Sequence, residues 1–70
     1  MTMRFCRYDL YGVINHYGSL SAGHYTATCR VVGSQGKEEW YSFNDENVYR
    51  LPPQGVVTFN AYILFYVRRQ

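Results

Sequence analysis

Residues Tyr8 to Tyr17, YDLYGVINHY, put Asp9, Tyr11, Val13 and Asn15 on one side of an extended chain and Tyr8, Leu10, Gly12, Ile14 and His16 on the other. Neither side is wholly polar, so the pattern predicts a strand covered on both faces. His24 to Val32, HYTATCRVV, alternates more cleanly. Tyr25, Ala27, Cys29 and Val31 share one face, and His24, Thr26, Thr28 and Arg30 share the other. Glu38 to Phe43, EEWYSF, reads as the next strand, and the turn cluster GSQGK between them predicts a hairpin. Ala61 to Arg68, AYILFYVR, is a near-continuous apolar run of strand length and is expected to be the most buried strand. Val56 to Thr58, VVT, is expected to form a short edge strand. Asn44 to Gly55, NDENVYRLPPQG, reads as irregular, because Pro52-Pro53 excludes a helix or a central strand there. Gly18 to Gly23, GSLSAG, is a loop of small residues. No stretch has a helical period. The expectation is four or five mostly antiparallel strands, without internal repeat or linker. The lead-in before Tyr8 is short for a strand that reads as covered, which points to a piece of a larger domain.

Length and composition narrow this picture. Seventy residues make at most one small domain, and a chain of that size buries only roughly 60% of the surface it exposes when unfolded. The aromatic share of 19%, with eight tyrosines, favours strands. The net charge of +2 is small and scattered, which argues against a nucleic-acid partner. No apolar run is long enough for a membrane span, and Met1 to Arg7 contains no signal-peptide core. The two cysteines, Cys6 and Cys29, form neither a C-x-x-C pair nor a zinc-ligand spacing. A single Cys6–Cys29 bridge is compatible with the sequence. Two reduced thiols in a cytoplasmic or nuclear chain is the preferred reading. Neither a cofactor nor a metal is expected.

One constellation has chemical content. His24 stands where the loop enters a strand, directly after Gly23, a residue that permits positive φ and close backbone approach. If the hairpin folds about Gln35, His24 lies eleven residues back and Asn44 nine forward, so Asn44 and Asp45 reach the end of the sheet that carries His24. A side-chain carbonyl beside an imidazole fixes its tautomer and leaves the other ring nitrogen for a nucleophile. Spacing alone leaves a capping or surface histidine as the commoner reading, and Asn and Asp at a turn serve local purposes too. His16 either hydrogen-bonds in the core or buttresses the site from the neighbouring strand.

At these residues the chain resembles a known family. YDLYGVINHYGSLSAGHYTATC, then WYSFNDENV, then AYILFYVRR, are similar in order and spacing to the C-terminal histidine box of the ubiquitin-specific proteases, papain-like enzymes that remove ubiquitin. The resemblance runs from about Tyr8 to Arg69. It implies a mainly β fold: an antiparallel sheet forming the C-terminal part of the palm subdomain of a papain-like cysteine protease, α+β in the whole parent domain. It also implies that residues 1–70 are the C-terminal segment of one such catalytic domain, lacking its Cys box.

The resemblance assigns roles position by position. His24 matches the general base, Asn44 the third triad member and Asp45 the second acid of that motif. The Gly18–Gly23 loop matches a blocking loop over the ubiquitin C-terminal tail. Ser21 and Ala22 of that loop are implied substrate-binding residues, and Gly23 and Tyr25 match positions lining the channel for the Gly-Gly end, where a Cβ at 23 would intrude on the tail. His16 matches a recurrent supporting histidine. Nothing matches the nucleophile. Cys29 falls mid-strand on the face opposite His24, a small buried hydrophobe, and Cys6 has no Gly-rich turn or helix start after it. The implied partners are ubiquitin and the remainder of the protease carrying the Cys box, and the chain alone is expected to be inactive. A non-catalytic β module that docks ubiquitin or the protease is the alternative. A module that stacks single-stranded nucleic acid is disfavoured by the weak charge.

Overall fold

The computed structural model describes residues 7–19 and 22–69. It contains β1 (Tyr8–Tyr17), β2 (His24–Val32), β3 (Glu38–Asn44), β4 (Asn47–Leu51), a single 3-10 turn at Pro53–Gly55, and β5 (Ala61–Arg68). The five strands form one sheet in the order β4-β3-β2-β1-β5, and every neighbouring pair is antiparallel.

Local chemistry explains the β2–β3 and β3–β4 hairpins. Between β2 and β3 the Gly33 N–H donates to Lys37 O at 2.8 Å and the Gly36 N–H to Gly33 O at 3.0 Å. Gly36 has φ +75°, a conformation that glycine adopts without strain. Between β3 and β4 the turn is only Asp45-Glu46, since Asn44 pairs with Asn47. Asp45 takes φ +52° there, in the left-handed region where Asp is one of the few tolerated side chains.

Strands β4 and β5 lie at opposite edges, so the segment from Leu51 to Ala61 has to cross one face of the sheet. Burial identifies that face. Val13, Asn15, Thr26 and Thr28 are all buried, and they share one side, because Val13 is opposite Thr28 and Asn15 opposite Thr26. Val56, from the crossing segment, is also buried. A backbone hydrogen bond from the His16 N–H to Asn60 O, 2.8 Å, ties the end of the crossing to β1.

The other face is bare. Val48, Phe43, Ala27, Ile14 and Ile63 form one continuous apolar row across all five strands. Val48, Phe43 and Ile63 are exposed. The molecule measures 51 × 33 × 16 Å, the thickness of one sheet with its side chains and little more. Its accessible surface is 5980 Å², whereas a compact protein of this mass exposes about 4,500 Å². The excess follows from a single layer that has no second layer to pack on.

Several sequence expectations are corrected. β5 is an edge strand and is exposed from Tyr62 to Arg68, not the most buried strand. Ile63 and Phe65 lie on the bare face, and Leu64, opposite Val13, is on the covered face yet stays exposed at the open edge. Val56 to Thr58 is not a strand: Val56 closes the 3-10 turn and turns inward beneath the crossing. Asn47–Leu51 is a strand, not irregular, and it stops immediately before Pro52, as a proline-limited edge strand should. β1 is covered on one face, not two. Cys29 carries a free, half-buried thiol, and Cys6 lies outside the described residues, as does any Cys6–Cys29 pairing.

Candidate active site

β2 is the central strand, third of the five, and His24 is its first residue. Alternation puts His24 on the face of Thr26 and Thr28. On β3, Ser42 pairs with Thr28, so Asn44, two residues further on, comes level with Thr26 on that same face. His24 is therefore diagonal to Asn44. A diagonal pair in an antiparallel sheet lies within reach of an aromatic ring. The ring makes that reach: Nε2 of His24 is 2.7 Å from Oδ1 of Asn44. The amide oxygen only accepts, so Nε2–H donates. In the neutral ring this leaves Nδ1 without a proton, as a base that points away from Asn44.

Asp45 follows Asn44 but turns out into solvent. Its side chain makes no hydrogen bond or ion pair among the described residues. The structure thus brings His24 and Asn44 together and leaves Asp45 as the turn residue beside them.

On the loop side, the Ala22 N–H donates to both the carbonyl oxygen and the hydroxyl of Ser19, at 3.3 and 3.1 Å. Ser21 lies outside the described residues. Gly23 has no positive φ; in the loop, Gly18 has one, +91°. What requires glycine at 23 is space. A Cβ there would overlap Nε2 and Cε1 of His16 and lie 2.6 Å from Ser19 O. Tyr25, exposed, stacks at a tilt on His16 with centroids 4.6 Å apart, and Tyr62 completes the cluster 6.0 Å from His16.

Beside the His24–Asn44 pair lies a buried polar patch that sequence reading did not single out. Asn15 donates through Nδ2 to Thr26 Oγ1 at 3.4 Å and to Thr28 Oγ1 at 3.3 Å. Its Oδ1 is buried with no partner among the described residues. The alignment of Thr26 and Thr28 with His24 was the available signal, but the position of Asn15 opposite Thr26 emerges only from the β1–β2 register.

Two hollows, of about 290 and 350 Å³, both include Tyr11 and Arg30. They lie six residues along β1 from Tyr17, the register partner of His24, and are lined chiefly by apolar groups. Among the described residues no three His, Cys, Asp or Glu side chains converge as a metal site. No helix among them is long and apolar enough to cross a membrane.

Comparison with known proteins places this chain in a lineage. A family model described as "Ubiquitin carboxyl-terminal hydrolase" matches residues 2–66. Ubiquitin carboxyl-terminal hydrolase 43 of Mus musculus is 52% identical over 62 residues, which is 89% of this chain and 5% of that protein. Ubiquitin carboxyl-terminal hydrolase 12 of Saccharomyces cerevisiae is 47% identical over 62 residues, again 89% of this chain and 5% of that protein. Among solved structures, the Ubp8-Sgf11-Sgf73-Sus1 SAGA DUB module superposes with a TM-score of 0.78 at 38% identity, over 93% of this chain and 14% of that one. The Ubp8 module bound to ubiquitin aldehyde gives a TM-score of 0.78, also at 38% identity, over 93% of this chain and 13% of that one. The chain therefore spans about one twentieth of the curated relatives and about one seventh of the solved ones. With nearly its whole length matched by the family model and its sheet shared with the family's solved domains, this chain belongs to the ubiquitin carboxyl-terminal hydrolase family.

Proposed function

We propose that this chain supplies the general base and its orienting group to a deubiquitinating cysteine protease, and that the protease cleaves the isopeptide or peptide bond after the C-terminal glycine of ubiquitin. The observation that carries the reading is the 2.7 Å contact between His24 Nε2 and Asn44 Oδ1. It holds the ring in the tautomer whose Nδ1 accepts a proton.

The chemistry runs as in other activated-thiol enzymes. Nδ1 of His24 takes the proton of a cysteine thiol carried by a second polypeptide or another segment. The thiolate attacks the carbonyl carbon of the terminal glycine, and the resulting imidazolium returns its proton to the departing amine. Water, deprotonated by the same imidazole, then hydrolyses the thioester and frees the thiol. Asn44 is neutral, so it orients the ring without stabilising the imidazolium as a carboxylate does. Asp45 supplies negative charge from the adjacent turn. The Gly18–Gly23 loop, with Ser21, Ala22 and Gly23, and Tyr25 beyond it, line the approach of the ubiquitin tail. The solved neighbour bound to ubiquitin aldehyde supports this substrate class.

Neither cysteine of the chain resembles the family's nucleophile, so the chain alone is inactive. Two measurements test this. A ubiquitin probe with a thiol-reactive C-terminal warhead leaves the chain unlabelled, and labelling at Cys6 or Cys29 refutes its inactivity. Adding a polypeptide that carries a family Cys box restores hydrolysis of a ubiquitin C-terminal amide substrate, and His24→Ala abolishes that restoration. A mixture that cleaves equally well with His24→Ala overturns the assignment of the base.

A second reading, a non-catalytic module that docks ubiquitin or the protease, is favoured by the bare apolar row from Val48 to Ile63. Titration of labelled ubiquitin against the chain separates the two: saturable binding without any complementation favours docking.

A further inference from the structure

Gly23 joins His24 to the loop, and it has no free volume on its side-chain side. The obstruction comes mainly from one ring, since a Cβ at 23 would overlap Nε2 and Cε1 of His16. That ring is itself fixed. Tyr25 packs on it at 4.6 Å and Tyr62 at 6.0 Å, and the backbone N–H of His16 is held by Asn60 O at 2.8 Å.

His16 does this at a cost. Its Nε2 is buried and makes no hydrogen bond among the described residues, and burying a polar atom without a partner is unfavourable. A leucine or phenylalanine fills a core without that penalty. The same nitrogen is the atom nearest the Gly23 side-chain position. His16 pairs with Tyr25 in the β1–β2 register and His24 with Tyr17, so the two imidazoles stand on opposite faces of the sheet. His16 therefore acts on His24 only through the backbone at 23.

We infer that His16 is a positioning residue for His24: the Nε2–Cε1 edge of its ring is the stop against which Gly23 rests, and that stop sets where β2 leaves the loop and so directs the His24 ring to Asn44. Its importance for catalysis rests on the proposed role of His24. The geometric claim does not.

The test reads the His24–Asn44 contact directly, by NMR of the full chain. The nuclear Overhauser effect between the His24 ring protons and the Asn44 side-chain amide is strong in the wild type. His16→Ala weakens it several-fold while the backbone contacts between β1 and β2 persist. His16→Phe, which keeps a planar ring against Gly23, restores it. A contact of unchanged strength in a folded His16→Ala chain overturns the inference, and so does failure of His16→Phe to restore it. If His16→Ala does not fold, Gly23→Ala probes the same stop from the other side. The added methyl shifts the His16 ring resonances and weakens the His24–Asn44 contact together; a shift at one without the other overturns the inference. None of these readings requires hydrolysis, so a chain that proves non-catalytic leaves the result interpretable.

Discussion

His24 and Asn44 are not cross-strand partners, yet Nε2 of the first lies 2.7 Å from Oδ1 of the second. The contact runs diagonally between the first residue of β2 and the last of β3. In a complemented enzyme, His24→Ala is expected to lower kcat by about 10²–10⁴-fold, the usual contribution of a general base. Asn44→Ala lowers it by less, because that residue acts through the ring, and Asn44→Asp keeps most of the rate. Steady-state kinetics on the three variants checks the order; Asn44→Ala falling as far as His24→Ala would contradict it.

Asp45 has two candidate jobs, and they can be separated. Its φ of +52° is better suited to glycine than to a branched side chain. Asp45→Gly is expected to leave the hairpin intact, whereas Asp45→Val destabilises it by about 1–2 kcal/mol. If the carboxylate also serves the imidazolium, Asp45→Gly slows the complemented enzyme without lowering its thermal midpoint. Equal rates for wild type and Asp45→Gly would reduce Asp45 to a turn residue.

The sheet's buried polar patch predicts a stability effect. Thr28 is buried and accepts one of the two Asn15 amide hydrogen bonds. Thr28→Val keeps the shape and removes the acceptor, so it should cost about 1–3 kcal/mol. Urea unfolding measures it; a midpoint unchanged from wild type would mean that Asn15 finds another partner.

A pH effect follows from the chain's last described residue. Arg69 grips Asp9 with two hydrogen bonds, at 2.6 and 3.0 Å, closing β5 onto β1. The guanidinium hydrogen bond holds the Asp9 carboxyl below its ordinary value of 3.8. A depressed carboxyl stabilises the fold above its unfolded value and loses that contribution as pH falls through the folded one. Acidification below about pH 4 should therefore loosen the β1–β5 end first. Amide exchange at Arg69, whose N–H donates to Arg7 O at 2.8 Å, reports it. Asp9→Asn should remove the pH dependence, and persistence of the dependence in that variant would exclude the clamp as its source.

The bare row makes a solubility prediction. Phe43→Lys and Ile63→Lys interrupt the apolar stripe at two strands and should reduce concentration-dependent association of the isolated chain, measured by sedimentation velocity. Association unaffected by either change would point to the open edges of β4 and β5 instead.

The sequence carried the site further than the sheet around it. Counting from Gln35 brought His24 and Asn44 to one rim, because a hairpin's register is fixed by its own turn. Burial was harder to read. The apolar run of β5 indicates that something covers it, not which neighbour does, and strand order is decided by the crossing after Pro52. β4 is masked in the sequence by the Pro52-Pro53 pair that follows it, although Asp45-Glu46 between Asn44 and Asn47 has the two-residue length of a tight hairpin. The stop that His16 presents to Gly23 has no sequence signature, since it depends on one ring edge meeting one backbone atom.

The order of the strands also has a thermal consequence. β2 is flanked on both sides, while β3 has only the five-residue β4 between it and solvent. Fraying begins at edges, where few contacts hold the backbone. On heating, the β4 margin should peel first and carry Asn44 away while His24 still sits in an ordered strand. In a complemented enzyme of the proposed kind, inactivation would then precede melting, and the working ceiling would be set by the sheet's weakest border rather than by its centre.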